Sequence, residues 1–143
     1  MSRSLTTVVV ALVMAGAVRP AIAQTGERFR ARLTPLPRDA ANMRDLTGIG
    51  SATATLSGNK LTINGTFEGL RGPATVARLH RAQTGVRGDS VFDLTVSRAP
   101  SGTVTASLDL SPLLVDDLRK GRLYIQIHSE KAPDGNLWGW LLR

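Results

Sequence analysis

From Glu27 to Leu33 the chain changes character at every residue. Phe29, Ala31 and Leu33 fall on one side, and Arg28, Arg30 and Arg32 on the other. A repeat of two belongs to an extended strand with one buried face. It recurs along most of the chain. Ala52, Ala54 and Leu56 alternate with Ser51, Thr53 and Thr55, and Leu61, Ile63, Gly65 and Phe67 line one side of the next run. Ala77 and Leu79 oppose Val76, Arg78 and His80. Phe92, Leu94 and Val96 form an inward set, as do Val104, Ala106, Leu108 and Leu110. The closing run places Ile125, Ile127, Leu137, Gly139 and Leu141 together. Tyr124, Gln126, His128, Trp138 and Trp140 share its second face.

Turn signals separate these runs. Pro35 and Pro37 end the first, because proline cannot donate to a ladder. Gly58-Asn59 suits a two-residue hairpin, and Gly69–Pro73, Gly85 to Gly88 and Pro100-Ser101-Gly102 mark further turns. Residues 38–47 read as a polar loop or a single helical turn. Ser111 as N-cap, Pro112 in the first turn and Gly121 as stop predict one short helix, with Leu113, Leu114 and Leu118 as its buried stripe. About eight short strands at this spacing predict an all-β fold: an antiparallel, Greek-key-like β-sandwich of immunoglobulin-like type, with the helix before the last hairpin.

The first 23 residues read as a signal peptide. Arg3 is followed by an apolar run from Leu5 to Val18, and Ala21-Ile22-Ala23 fits a small-residue cleavage pattern. That run falls short of the about 20 residues a membrane span needs. Residues 24–143 then form a single domain of 120 residues. Cleavage removes Arg3 and Arg19 from 18 basic residues, leaving 16 against 11 acidic ones, a net charge of +5. The chain has no cysteine, so no disulfide braces it. These features predict an exported protein, periplasmic or secreted, with no transmembrane segment after cleavage. Nucleic acid is not the expected partner. A protein or an anionic envelope polymer is.

Chemistry-bearing residues are few. There is no cysteine nucleophile, no Gly-x-Ser-x-Gly elbow, no His-Glu-x-x-His and no phosphate loop. No catalytic residue is assigned. His80 and His128 are the two histidines, both on outward strand faces, and on neighbouring strands they would share a copper or zinc ion. Trp138 and Trp140 project together, near Tyr124, Gln126 and His128. Uncovered, they form a ligand-binding surface that suits sugar rings or an envelope polymer. Covered, by the helix or by residues 38–47, they are packing. The arginines of the first strand are read in two ways as well: as guards on a sheet edge, or as a contact for anionic polymers. Asp116 and Asp117 are expected in surface ion pairs.

The order of these motifs resembles the CHRD domain, named for chordin and common in exported bacterial proteins. The resemblance is carried by the alternating strand and the Gly58-Asn59 hairpin, then Gly69-Leu70-Arg71-Gly72-Pro73, Ala77-Arg78-Leu79-His80, Gly85-Val86-Arg87-Gly88, Val91-Phe92-Asp93-Leu94, Leu118 to Tyr124, Ile127-His128 and Gly135 to Leu141. It spans nearly all of residues 28–143. It implies a non-catalytic binding or structural module, and chordin's role implies protein partners. Two departures stand out. Arg78 occupies the place of the first histidine of a His-x-His pair, leaving His80. The family's closing Gly-Glu-x-Arg-Gly-Gln-Leu becomes Gly135-Asn136-Leu137-Trp138-Gly139-Trp140-Leu141. Arg78 therefore joins Tyr124, Gln126, Trp138 and Trp140 as a candidate partner-binding residue. A looser similarity, to copper–zinc superoxide dismutase, rests on the histidine placement. It implies the sandwich architecture and an altered metal-binding protein using His80 and His128.

Overall fold

The computed structural model describes residues 26–143; the signal-peptide reading of residues 1–23 lies outside the described residues. Eight strands and one helix follow each other as β1 (Glu27–Pro35), β2 (Ile49–Ser57), β3 (Lys60–Glu68), β4 (Ala74–Arg81), β5 (Ser90–Val96), β6 (Gly102–Asp109), α1 (Pro112–Arg119), β7 (Leu123–Ser129) and β8 (Leu137–Trp140). All strand pairs are antiparallel. The strand order is β1-β2-β3-β6-β5-β4-β7-β8, and β8 pairs back to β1. The segment β7-β4-β5-β6 has the Greek-key order, three hairpin-linked strands with the fourth returning beside the first.

The sandwich expected from the alternation is thus corrected to a closed barrel. Closure is made by contacts that alternation cannot encode. Thr34 and Pro35 pair with Trp138 and Leu137. Beyond β8, Leu142 exchanges two backbone hydrogen bonds with Arg30, of 2.7 and 2.9 Å. No sheet edge is left open along β1.

The interior is filled by the apolar sets read from the sequence. Phe29, Leu33, Leu61, Ile63, Leu79, Ile125, Ile127 and Leu137 are fully buried there. An eight-stranded barrel leaves only enough room for such side chains, and each contributes about 1.5–3 kcal/mol through burial. Close packing demands glycine at one point of the seam. A Cβ on Gly139 would fall on the carbonyl oxygen of Arg32 and lie 3.0 Å from Leu33 Cδ2. The β2–β3 turn is the expected two-residue one. Gly58 takes φ +62° and, among the described residues, no non-glycine residue has positive φ, which matches a type II′ turn.

Residues 40–45 form turns, with Asp39 Oδ1 accepting from the amides of Ala41 and Asn42. In α1, Ser111 Oγ accepts from the Leu114 amide at 3.3 Å. The expected stripe is corrected at two positions. Leu113 is 55% exposed. Asp117, expected at the surface, is buried beside Leu118, three and four residues on from Leu114. Its carboxylate faces Arg81 Nε at 2.5 Å and Arg122 Nη1 at 3.7 Å, and these two cations compensate its burial. Asp116 meets Lys120 at the surface as expected. Among the described residues no helix is long and apolar enough to cross a membrane.

Candidate functional site

The outside of the barrel has two unlike halves. On the half formed by β4, β7 and β8, strand register sorts the singled-out residues into rows. His80, Tyr124 and Trp140 lie side by side, as do Arg78, Gln126 and Trp138. The rings are in contact. His80 stacks on Tyr124 with centroids 4.9 Å apart, Tyr124 lies 4.5 Å from Trp140, and Trp138 meets Trp140 edge-on at 4.8 Å.

This half is roofed by loops. The Trp140 indole N–H donates to the Ala82 carbonyl at 3.0 Å. The Gly88 amide donates to the Tyr124 hydroxyl at 3.0 Å. Trp138 packs on Leu36, Leu46 and Ala132. Tyr124, Gln126 and Trp140 are consequently buried, and Trp138 and His128 are half-buried. The β4–β5 loop covers His80, Tyr124 and Trp140, while Leu36, Leu46 and the β7–β8 loop at Ala132 to Gly135 cover Gln126 and Trp138. The helix does not take part; α1 buries Leu118 in the barrel core. An open aromatic platform for sugar rings is therefore not what this half presents.

The histidines stand in different rows of the sheet. His80 is opposite Tyr124 and His128 opposite Val76, four residues further along the ladder, about 13 Å at the usual strand rise. His80 Nδ1 lies 2.8 Å from the Gly88 carbonyl, which fixes the proton on Nδ1 and leaves Nε2 buried without a partner. His128 Nδ1 donates likewise to the Pro133 carbonyl at 2.8 Å, and its Nε2 accepts from the Gln126 amide at 3.1 Å. No group of three or more His, Cys, Asp or Glu that could hold a metal occurs among the described residues.

The other half, formed by β1, β2, β3 and β6, has no roof. Register aligns Arg28 with Thr55, Thr62 and Ser107; Arg30 with Thr53, Asn64 and Thr105; and Arg32 with Ser51, Thr66 and Thr103. This grid is about 14 Å across four strands and about 13 Å along them. These three rows contain no carboxylate and no apolar side chain; the exposed Ile49 and Glu68 pair just beyond Ser51 and Thr66, and Lys60 and Asp109 pair beyond Thr62 and Ser107 at the opposite end. The three arginines are exposed and make no ion pair among the described residues.

The motifs that carry the resemblance follow in order around one barrel, most of them on β4, β5, β7, β8 and the turns beside them, and a family model for the CHRD domain matches residues 29–141. The chain belongs to the CHRD domain family. Neither a curated protein nor a solved structure gives a significant match to it.

The positions where this CHRD domain departs from the pattern are engaged within its own structure. Arg78 pairs with Asp93 across the β4–β5 ladder at 3.1 Å. Asn136 is fully buried. Its Oδ1 accepts from Ser129 Oγ at 2.7 Å, and its Nδ2 donates to the Thr47 carbonyl at 2.7 Å. Trp138 and Trp140 complete the aromatic cluster. The sequence did not reveal the roles of Asp117 and Asn136, whose partners stand on other elements. Nor did it reveal the grid, because alternation marks its residues as outward-facing without saying which lie side by side.

His80 gives this half a measurable pH response. Burial pulls its imidazole below the ordinary 6.5, the Gly88 carbonyl opposes this, and His128 and Arg78 reinforce it while Asp89 opposes. A depressed folded-state value means that the unfolded chain takes up the proton first. The stabilising contribution is therefore complete above pH 6.5 and is lost as pH falls through the folded-state value. Melting temperature should decline from pH 7 to pH 5 more steeply in the native protein than in His80→Phe. Parallel curves would show that His80 does not govern this range.

Proposed function

We propose that this CHRD domain is exported and serves as a non-catalytic binding module in the cell envelope or outside the cell, meeting its partner on the unroofed half of the barrel. The observation that carries this reading is the asymmetry of the exterior. The barrel interior is packed, and the aromatic half lies under its own loops. The grid of β1, β2, β3 and β6 is the large polar face left open. Membership of the CHRD family supports a module rather than an enzyme. The leader-like residues 1–23, which carry no twin arginine, support export by the ordinary route.

The test uses the full chain expressed in a bacterial host. Intact mass should place the mature start at Gln24, in the periplasm or medium; a full-length chain kept in the cytoplasm refutes export. Hydrogen exchange of the mature protein with and without isolated envelope material should then protect β1, β2, β3 and β6. Protection confined to the cleft of about 270 Å³ between Leu46, Arg87 and Ala132 would move the site and overturn the reading.

A further inference from the structure

We infer that the arginine row of β1 binds a linear polysaccharide carrying repeated carboxylate groups, an inference that rests on the binding-module reading above. A row of like charges on a strand usually has a structural explanation: it keeps a free edge from pairing with another chain. Here that explanation lapses. β1 is paired to β2 from Glu27 to Leu33, and on its other side to β8 and Leu142. There is no edge to guard.

The row also carries an internal cost. Successive outward residues on a strand are about 6.7 Å apart, within the screening length of about 8 Å at physiological salt. The three guanidinium groups therefore repel one another. Their cross-strand neighbours are Thr55, Thr53 and Ser51, which bring no compensating charge. Residues 1–25 contain no acidic side chain that could supply one either. An anion repeated at a similar interval relieves this repulsion, and guanidinium offers a two-pronged donor that matches a carboxylate.

The rest of the grid narrows the class. Beside each arginine run three hydroxyl or amide side chains, which donate to and accept from sugar hydroxyls. A single-stranded nucleic acid wants aromatic side chains for its bases, and the grid has none. A lipid surface wants several apolar residues to insert, and this face offers only Ile49, at its margin. An anionic sugar chain uses both the charged row and the hydroxyl rows.

The experiment is titration calorimetry of the mature protein with polygalacturonate, beside dextran, phosphatidylglycerol vesicles and single-stranded DNA. Polygalacturonate should bind, and more weakly as salt rises. The combined variant Arg28→Ser, Arg30→Ser, Arg32→Ser should lose at least tenfold in affinity while keeping its melting temperature. The charge-matched variant Arg38→Ser, Arg44→Ser, Arg98→Ser should stay within twofold of the native protein. Equal losses in both variants would show general charge attraction and overturn the inference, as would tighter binding of vesicles or DNA. Dextran bound as well as polygalacturonate, with the arginine variant unimpaired, would sink the carboxylate assignment but leave the binding face standing. If no polymer binds, this inference fails, and the exchange experiment with envelope material separately decides the binding-module reading.

Discussion

Gly139→Ala is expected to lower the stability of the domain by about 3 kcal/mol, because overpacking against backbone leaves little room to relax. For a chain of this size that is a fall of roughly 10 °C in melting temperature. The added methyl would fall on the Arg32 carbonyl oxygen, with Leu33 Cδ2 3.0 Å away. β1 and β8 meet through only Thr34–Trp138 and Pro35–Leu137, with Arg30–Leu142 two residues beyond Trp140. A seam joined at so few places has no spare pairing with which to absorb the shift. Gly58→Ala is the control. Its Cβ would meet nothing within 4 Å, yet its φ is +62°. It should cost less, about 1–2 kcal/mol, the penalty for alanine at the positive φ of a type II′ turn. Calorimetric melting of both variants checks the comparison. Equal losses would mean that seam packing is not what makes Gly139 necessary.

Asn136→Leu should cost about 3 kcal/mol, since it strands a buried hydroxyl and a half-buried carbonyl at once. The Ser129 hydroxyl loses its acceptor and the Thr47 carbonyl loses its donor. The backbone of Asn136 would still pair with Ile127 and Leu36. The damage should therefore be uneven. Residues 36–47 should exchange hydrogen faster, and the emission of Trp138, packed on Leu36 and Leu46, should shift toward the red. Asn136→Asp retains the acceptor for Ser129 but loses the donor to Thr47 and buries a carboxylate, so it should be no better tolerated. Unchanged exchange in residues 36–47 would contradict the role assigned to Asn136.

Much of the fold is legible in the chain because burial and strand periodicity act on local stretches. Ala77 and Leu79 on β4, or Ile125 and Ile127 on β7, face the core for the same reason that they alternate with polar neighbours. The helix is legible through Ser111, Pro112 and Gly121. Closure is not. Whether β8 turns back onto β1 depends on the pairing of Thr34 with Trp138, more than a hundred residues apart, and a sandwich would use the same alternation. Asp117 shows a second limit. Its i−3 neighbour Leu114 and i+1 neighbour Leu118 mark an inward face, but the compensating Arg81 and Arg122 lie on or beside other elements. The candidate site was legible as a set of residue types, not as an arrangement. Alternation placed Tyr124, Gln126, Trp138 and Trp140 on one face, and the loop from 82 to 89 then covers Tyr124 and Trp140 while Leu36, Leu46 and the β7–β8 loop cover the other two. The arginines of β1 were equally visible. Their significance depends on β1 having neighbours on both sides.

The cluster in which Arg119 and Arg143 both pair with Glu27 has a mechanical consequence. The Arg119 hydrogen bond, reinforced by Arg143, holds the Glu27 carboxyl below the usual carboxylate range, so the cluster stays charged in mildly acidic surroundings. It also ties the start of β1 to the final residue of the chain. Arg30 and Leu142 run antiparallel beside it. Tension applied between Glu27 and Arg143 would therefore enter the barrel at a single point. It would load the Glu27 cluster first and then the Arg30–Leu142 bonds in succession, as a zip opens. Shear across many strand bonds at once, the stronger geometry, is not available to a pull in that direction.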